Sequence, residues 1–237
     1  VEQNLLRRPG YADRPHLLAP LGVDLSLFRP DADAGAAVRR ALGWTDGGPP
    51  VIGYLGRFVP EKGLGMLMRS LDGLRTPWRA VFVGDGPMRA SMQQWAVAQG
   101  DRVRICTNVR HDEVPPYVNA MDLLVAPSLT TPRWREQFGR MLIEAMACGV
   151  PVIGSSSGEI PHVIGSGASA GGVVVPEGDV PAWAEALGRL IDSPAERARL
   201  GAVGLERAKS EYAWPVIAGK TLAFFDRVLE SRRPGGA

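Results

Sequence analysis

From Val51 onward, short runs of continuous apolar residues alternate with stretches of helical apolar spacing. No other feature of the chain constrains its fold as much. Continuous apolar runs suit strands buried on both faces. Such a run stands at 51–56, and further strands are expected at 78–83 and 103–106, each apolar but for one arginine, and at 123–126, 150–154 and 172–175. Between them Leu64, Leu67, Met68, Leu71 and Leu74 mark one helix, and further helices are expected over 87–99, 112–121 and 138–148. A short helical turn is expected near Ile160, and three helices close the chain at 180–192, 194–210 and 215–231. This alternation predicts an α/β, Rossmann-like, doubly wound parallel sheet with C-terminal helices. Residues 1–50 are irregular and rich in Pro and Gly, with a short strand expected at 17–20 and a short helix at 34–43. The tail 232–237 is expected to be disordered.

In such a sheet, ligands bind beyond the carboxyl ends of the strands. The chemically interesting residues should therefore follow strands. Arg57 and Lys62 follow the first, Gly84-Asp85-Gly86 the second and Asn108 to His111 the third. Ser128 to Gly139 follow the fourth, and Ser155 to Glu159 the fifth. Five loops converge on one rim.

Composition works by exclusion. A net charge of +2 on 237 residues argues against nucleic acid as a partner. Three scattered histidines and two cysteines form no ligand cluster, so no metal site is expected. Cys106 and Cys148 read as buried free thiols of a reducing compartment. No apolar run reaches the length of a membrane span, which leaves peripheral membrane contact open. Of 27 basic residues only Lys62, Lys209 and Lys220 are lysines, which makes Lys62 in a rim loop more noticeable. Val1 is not a natural start residue, so the chain is expected to be a fragment, a processed product or a trimmed form.

Three loops carry chemistry. In Gly56-Arg57-Phe58-Val59-Pro60-Glu61-Lys62-Gly63, two cations flank a helix start, which suits a diphosphate; a Glu61–Arg57 surface pair is the plainer alternative. Gly84-Asp85-Gly86-Pro87 lacks the third small residue of a dinucleotide fingerprint, because Arg89 stands there. A structural turn with Pro87 at the first helical position fits better. In the run from Glu136 to Glu144, two carboxylates stand eight positions apart around a Phe138-Gly139 turn. Amides of Phe138, Gly139, Arg140, Met141 and Leu142 can face anionic oxygens there. Glu144 sits on a helix that looks buried nearly all round, so it needs a partner: a hydroxyl-bearing ligand or Arg140 one turn away. His111 and His162 read as ordinary rim or surface residues, and Cys148 as core packing.

Taken together, these residues resemble the C-terminal domain of family 4 retaining glycosyltransferases, which have the GT-B fold. The resemblance rests on Gly22-Val23-Asp24 with Phe28 and Pro30, the 56–63 loop, and Val83-Gly84-Asp85-Gly86-Pro87. It rests further on Asp122 with Pro127-Ser128, the 136–144 motif with its Ala-Met-Ala-Cys-Gly-Val-Pro end, and Gly158-Glu159-Ile160-Pro161. It covers roughly residues 15–230, and the double-Glu motif is its most specific part.

The resemblance implies one GT-B half-domain. Residues 1–30 would be a remnant of the N-terminal domain and hinge, 31–212 the nucleotide-sugar-binding domain and 213–231 the C-terminal crossover helix. Arg57, Lys62 and Glu136 would be catalytic. Gly56, Gly84, Val109, Arg110, Phe138, Gly139, Arg140, Met141, Leu142 and Glu144 would join them in donor binding. Glu144 would accept from the ribose, and the loop at Val109 and Arg110 would hold the base. The co-substrate would be a nucleotide-diphosphate sugar, with no other cofactor and no metal. The partner would be the absent acceptor-binding N-terminal domain, without which full activity is not expected. The expected location is cytoplasmic, including the inner face of the membrane. A nucleotide-sugar epimerase of the same fold and a non-catalytic binding module are the alternatives. The segment Leu129 to Arg135 looks longer than the family's usual loop, and its two arginines and Trp134 are candidates for shaping sugar choice. His162 stands where an acid is common.

Overall fold

The computed structural model describes residues 20–44 and 47–231. Six strands form one sheet: β1 (Val51–Leu55), β2 (Arg79–Val83), β3 (Val103–Cys106), β4 (Leu123–Ala126), β5 (Val152–Ser155) and β6 (Gly172–Val175). Their order is β3-β2-β1-β4-β5-β6, and all neighbours are parallel. The chain steps outward from β1 to β3, then crosses back to lay β4 on the other side of β1. The topological switch point therefore lies between β1 and β4, where open sheets of this kind bind ligands.

The helices are α1 (Ala32–Ala41), α2 (Leu64–Asp72), α3 (Arg89–Gln99), α4 (Val114–Asn119), α5 (Arg140–Ala147), α6 (Ile160–Ile164), α7 (Val180–Asp192), α8 (Pro194–Arg207) and α9 (Trp214–Ser231). Side chains alternate across each strand. Ile52, Tyr54, Phe82, Leu123, Val125 and Ile153 pack beneath α2, α3 and α7. Val51, Val81, Val83, Leu124, Ala126 and Val152 pack beneath α4, α5 and α6. Both faces of the central strands β1, β4 and β5 are covered, which is why those strands read as apolar runs.

Several expected boundaries move, each for a local reason. The helix expected from 138 begins at Arg140, because Gly139 takes a left-handed φ of 78°. The helix expected from 87 begins at Arg89. Pro87 lies in the preceding turn, and the Met88 amide donates to the Phe58 carbonyl of the neighbouring loop. Val150 still donates to Ala145 and closes α5, so the strand expected at 150–154 starts at Val152. The short helix expected within 112–121 is α4, and it is opened by a 3-10 turn, His111–Glu113. The helix expected at 194–210 gives way after Arg207 to a π-helical turn, Ala208–Tyr212. Cys148 is buried, but Cys106 is only partly so, a correction to the reading of both thiols as buried. The strand expected at 17–20 lies outside the described residues except for Pro20, as does the whole tail 232–237. Among the described residues no helix is long and apolar enough to cross a membrane.

Candidate functional site

The loops leaving β1, β4 and β5 are sewn together at the switch point. Lys62, at the end of a 3-10 turn (Pro60–Lys62), is 9% exposed. Its Nζ stands 2.5 Å from Oε2 of Glu136, which is itself 7% exposed. The fully buried Ser128 hydroxyl donates to the same Oε2 at 2.9 Å. A lysine and a carboxylate this far out of water need each other, because either one alone would be a buried uncompensated charge. The Trp134 ring lies over the ammonium, 5.1 Å from Nζ to its centroid.

Close backbone approaches hold this arrangement. Gly63 has φ 71°, and a Cβ there would lie 1.9 Å from the Pro127 carbonyl oxygen. The Leu129 amide donates to the Glu61 carbonyl at 2.8 Å. On the other side, the Ser155 hydroxyl donates to the Ser128 carbonyl at 2.5 Å, and the Glu159 amide to the Glu136 carbonyl at 3.1 Å. Gly158 has φ 58° and leaves no room for a Cβ, which would come within 1.8 Å of the Glu136 carbonyl oxygen.

Gly84 serves the loop rather than a fingerprint. A Cβ there would meet the Gly56 carbonyl oxygen at 1.9 Å. The Phe58 amide donates to the Asp85 carbonyl at 2.8 Å, so the β1 and β2 loops run side by side. Arg57 is exposed and makes no ion pair among the described residues, so the Glu61–Arg57 alternative does not form there. Its carbonyl accepts from the Tyr54 hydroxyl at 2.8 Å. Burial first, and then the Glu136 carboxylate, push the Tyr54 phenol well above its usual range, while Arg57 opposes them.

The second carboxylate is held differently. Every residue of α5 from Met141 to Ala147 is buried, and Glu144 is 5% exposed. Arg140 Nε donates to Oε1 of Glu144 at 2.9 Å, so the ion pair weighed from sequence does form. His111 Nε2 also lies 2.9 Å from Oε1. Both partners reach one oxygen, and both are about half exposed, at 52% of side-chain area. At the start of α5 the Leu142 amide is committed to the Gly139 carbonyl at 2.8 Å. The Arg140 and Met141 amides are first-turn amides, which an α-helix leaves without intrahelical partners.

Val109 packs partly buried against the core, and Arg110 is exposed, its guanidinium paired with Asp112 at 3.0 Å. Phe138 is partly buried, edge-on to Tyr212 with centroids 5.8 Å apart. His162 is exposed. A cavity of about 610 Å³ opens against Glu136 and is lined also by Thr130, Arg133, Trp134, Arg135, Gln137 and Glu159. Sequence reasoning missed His111, Ser128 and Tyr54 as site residues. Only their place just beyond strand ends, or on β1, hinted at them. Among the described residues no group of three or more acidic, His or Cys side chains is placed to hold a metal ion.

A family model described as Glycosyl transferases group 1 matches residues 49–193. Over 221 residues the chain is 35% identical to the GDP-mannose-dependent alpha-(1-6)-phosphatidylinositol monomannoside mannosyltransferase of Mycolicibacterium smegmatis, covering 90% of this chain and 57% of that one. The sucrose-phosphate synthase of Thermosynechococcus elongatus superposes with a TM-score of 0.78 at 30% identity, over 97% of this chain and 57% of that one. Anabaena HepE, solved in complex with UDP, superposes with a TM-score of 0.74 at 22% identity, over 88% and 56%, a likeness of fold. The chain thus spans a little over half the length of the relatives it matches.

Proposed function

We propose, for a chain that belongs to the group 1 glycosyl transferases, that the rim between β1 and β4 binds a nucleotide-diphosphate sugar and serves retaining transfer of its hexosyl group. The observation that carries this reading is the buried Lys62–Glu136 pair at the switch point, its carboxylate on the loop that leads into α5. Lys62 and Arg57 supply positive charge for the diphosphate, where charge grows as the donor breaks. The Arg140 and Met141 amides add the positive end of a helix. Glu136 addresses the hexosyl hydroxyls. Among the described residues both polar neighbours of Glu144 occupy Oε1, which leaves Oε2 for a ribose hydroxyl.

In the proposed step, the acceptor oxygen bonds to the anomeric carbon on the face from which the diphosphate departs. The bond to the diphosphate oxygen breaks, its electron pair stays on the diphosphate, and the acceptor proton passes to a diphosphate oxygen. The named mycolicibacterial relative makes GDP-mannose the first donor to test. The acceptor is proposed to be bound by sequence beyond the aligned half, so this chain alone binds donor without completing transfer.

The test is thermal. GDP and GDP-mannose should raise the melting temperature saturably, and Glu144→Ala should remove most of that rise. Equal shifts in wild type and variant would contradict the assigned site. Epimerised sugar nucleotide as product of the longer protein would point instead to an epimerase.

A further inference from the structure

Lys62 poses a problem of placement. Lysine is a flexible four-carbon stem ending in a compact charge. A cation that stabilises a leaving diphosphate works best when already in position. Yet each hydrogen bond that fixes an ammonium also removes a donor from the incoming anion. Glu136 takes one donor. The Trp134 ring face, 5.1 Å from Nζ, lies within the roughly 6 Å reach over which an aromatic ring attracts a cation, and that attraction takes no hydrogen.

The ring is itself held. Residues Thr131 to Trp134 form a tight turn, with the Thr131 amide donating to the Trp134 carbonyl at 2.7 Å and the Trp134 amide returning to Thr131 at 3.3 Å. The base of the turn is anchored by Leu129 to the residue preceding Lys62, and by Thr130 to Ser157 at 3.0 Å. Lysine turn and tryptophan turn are therefore one unit.

We propose that Trp134 is a positioning residue for Lys62, holding the ammonium by its ring face so that donors remain free for the donor diphosphate. This rests on the reading of Lys62 as a diphosphate ligand. The test is a double-mutant cycle read by calorimetric affinity for GDP and GMP, with UDP and UMP run in parallel. Trp134→Leu should weaken the diphosphate about threefold to tenfold and leave the monophosphate within about twofold. Trp134→Phe, which keeps a ring face, should recover most of the loss. In a Lys62→Met/Glu136→Gln background, which leaves no buried charge unpaired, Trp134→Leu should change nothing further. Equal loss for mono- and diphosphate, or the same loss without Lys62, would overturn the proposal while leaving the donor site standing. Wild-type protein that binds neither diphosphate would overturn the underlying reading as well.

Discussion

Two carboxylates eight residues apart behave as opposites. Glu136 faces a lysine that is itself almost buried, inside a seam where three loops leave no room for a single added Cβ. Glu144 is just as buried, but its partners Arg140 and His111 are half in water and can swing away. The first is an architectural charge pair whose members depend on each other. The second is a buried acceptor with replaceable partners. Burial alone does not say which carboxylate steadies the fold; the exposure of the partner does.

The largest consequence concerns Lys62. Lys62→Met strands the Glu136 charge in a nearly buried site and should cost about 3–5 kcal/mol in urea unfolding. The double variant Lys62→Met/Glu136→Gln should regain most of that, since no buried charge remains. If the single variant unfolds like wild type, the contrast between the two carboxylates is lost. Next, Gly63→Ala forces a Cβ against the Pro127 carbonyl and should cost about 1–3 kcal/mol, testing whether the seam itself is stiff. Glu144→Gln should be milder, at under about 1 kcal/mol, because Arg140 and His111 simply become hydrated. The same variant should weaken GDP by roughly tenfold, because a neutral amide oxygen accepts from the ribose more weakly than a carboxylate does.

The smallest effect sharpens the comparison through Cys148, at the end of α5. Burial first, and then the Glu144 carboxylate, push this thiol from 9.0 up to about 12. The protonated thiol thus steadies the fold below pH 9, and that contribution is lost as pH rises towards about 12. Glu144→Gln should lower the thiol's pKa in the folded protein and narrow that window. Iodoacetamide labelling of Cys148 at pH 9–10 should then be faster in the variant than in wild type.

The central strands β1, β4 and β5 were legible in the sequence because both faces of the sheet are covered there, so each announces itself as an apolar run; the edge strand β3 carries Arg104 and is only partly buried. Boundaries set by a neighbouring loop were not. Nothing local tells that the Met88 amide is claimed by Phe58, or that Gly139 adopts φ 78° and delays α5 by two residues. The site divides the same way. Glu136, Glu144, Lys62 and Arg57 stand in motifs with fixed spacing. The His111–Glu144 contact spans 33 positions and the Ser128–Glu136 bond belongs to a loop with no period, so neither leaves a pattern to read.

The most direct test is a crystal structure of this chain grown with GDP. The account predicts density at the β1–β4 rim, with a phosphate oxygen within hydrogen-bond distance of Lys62 Nζ and a ribose hydroxyl on Glu144. A nucleotide bound elsewhere, with the Lys62–Glu136 pair and Glu144 untouched, would contradict it.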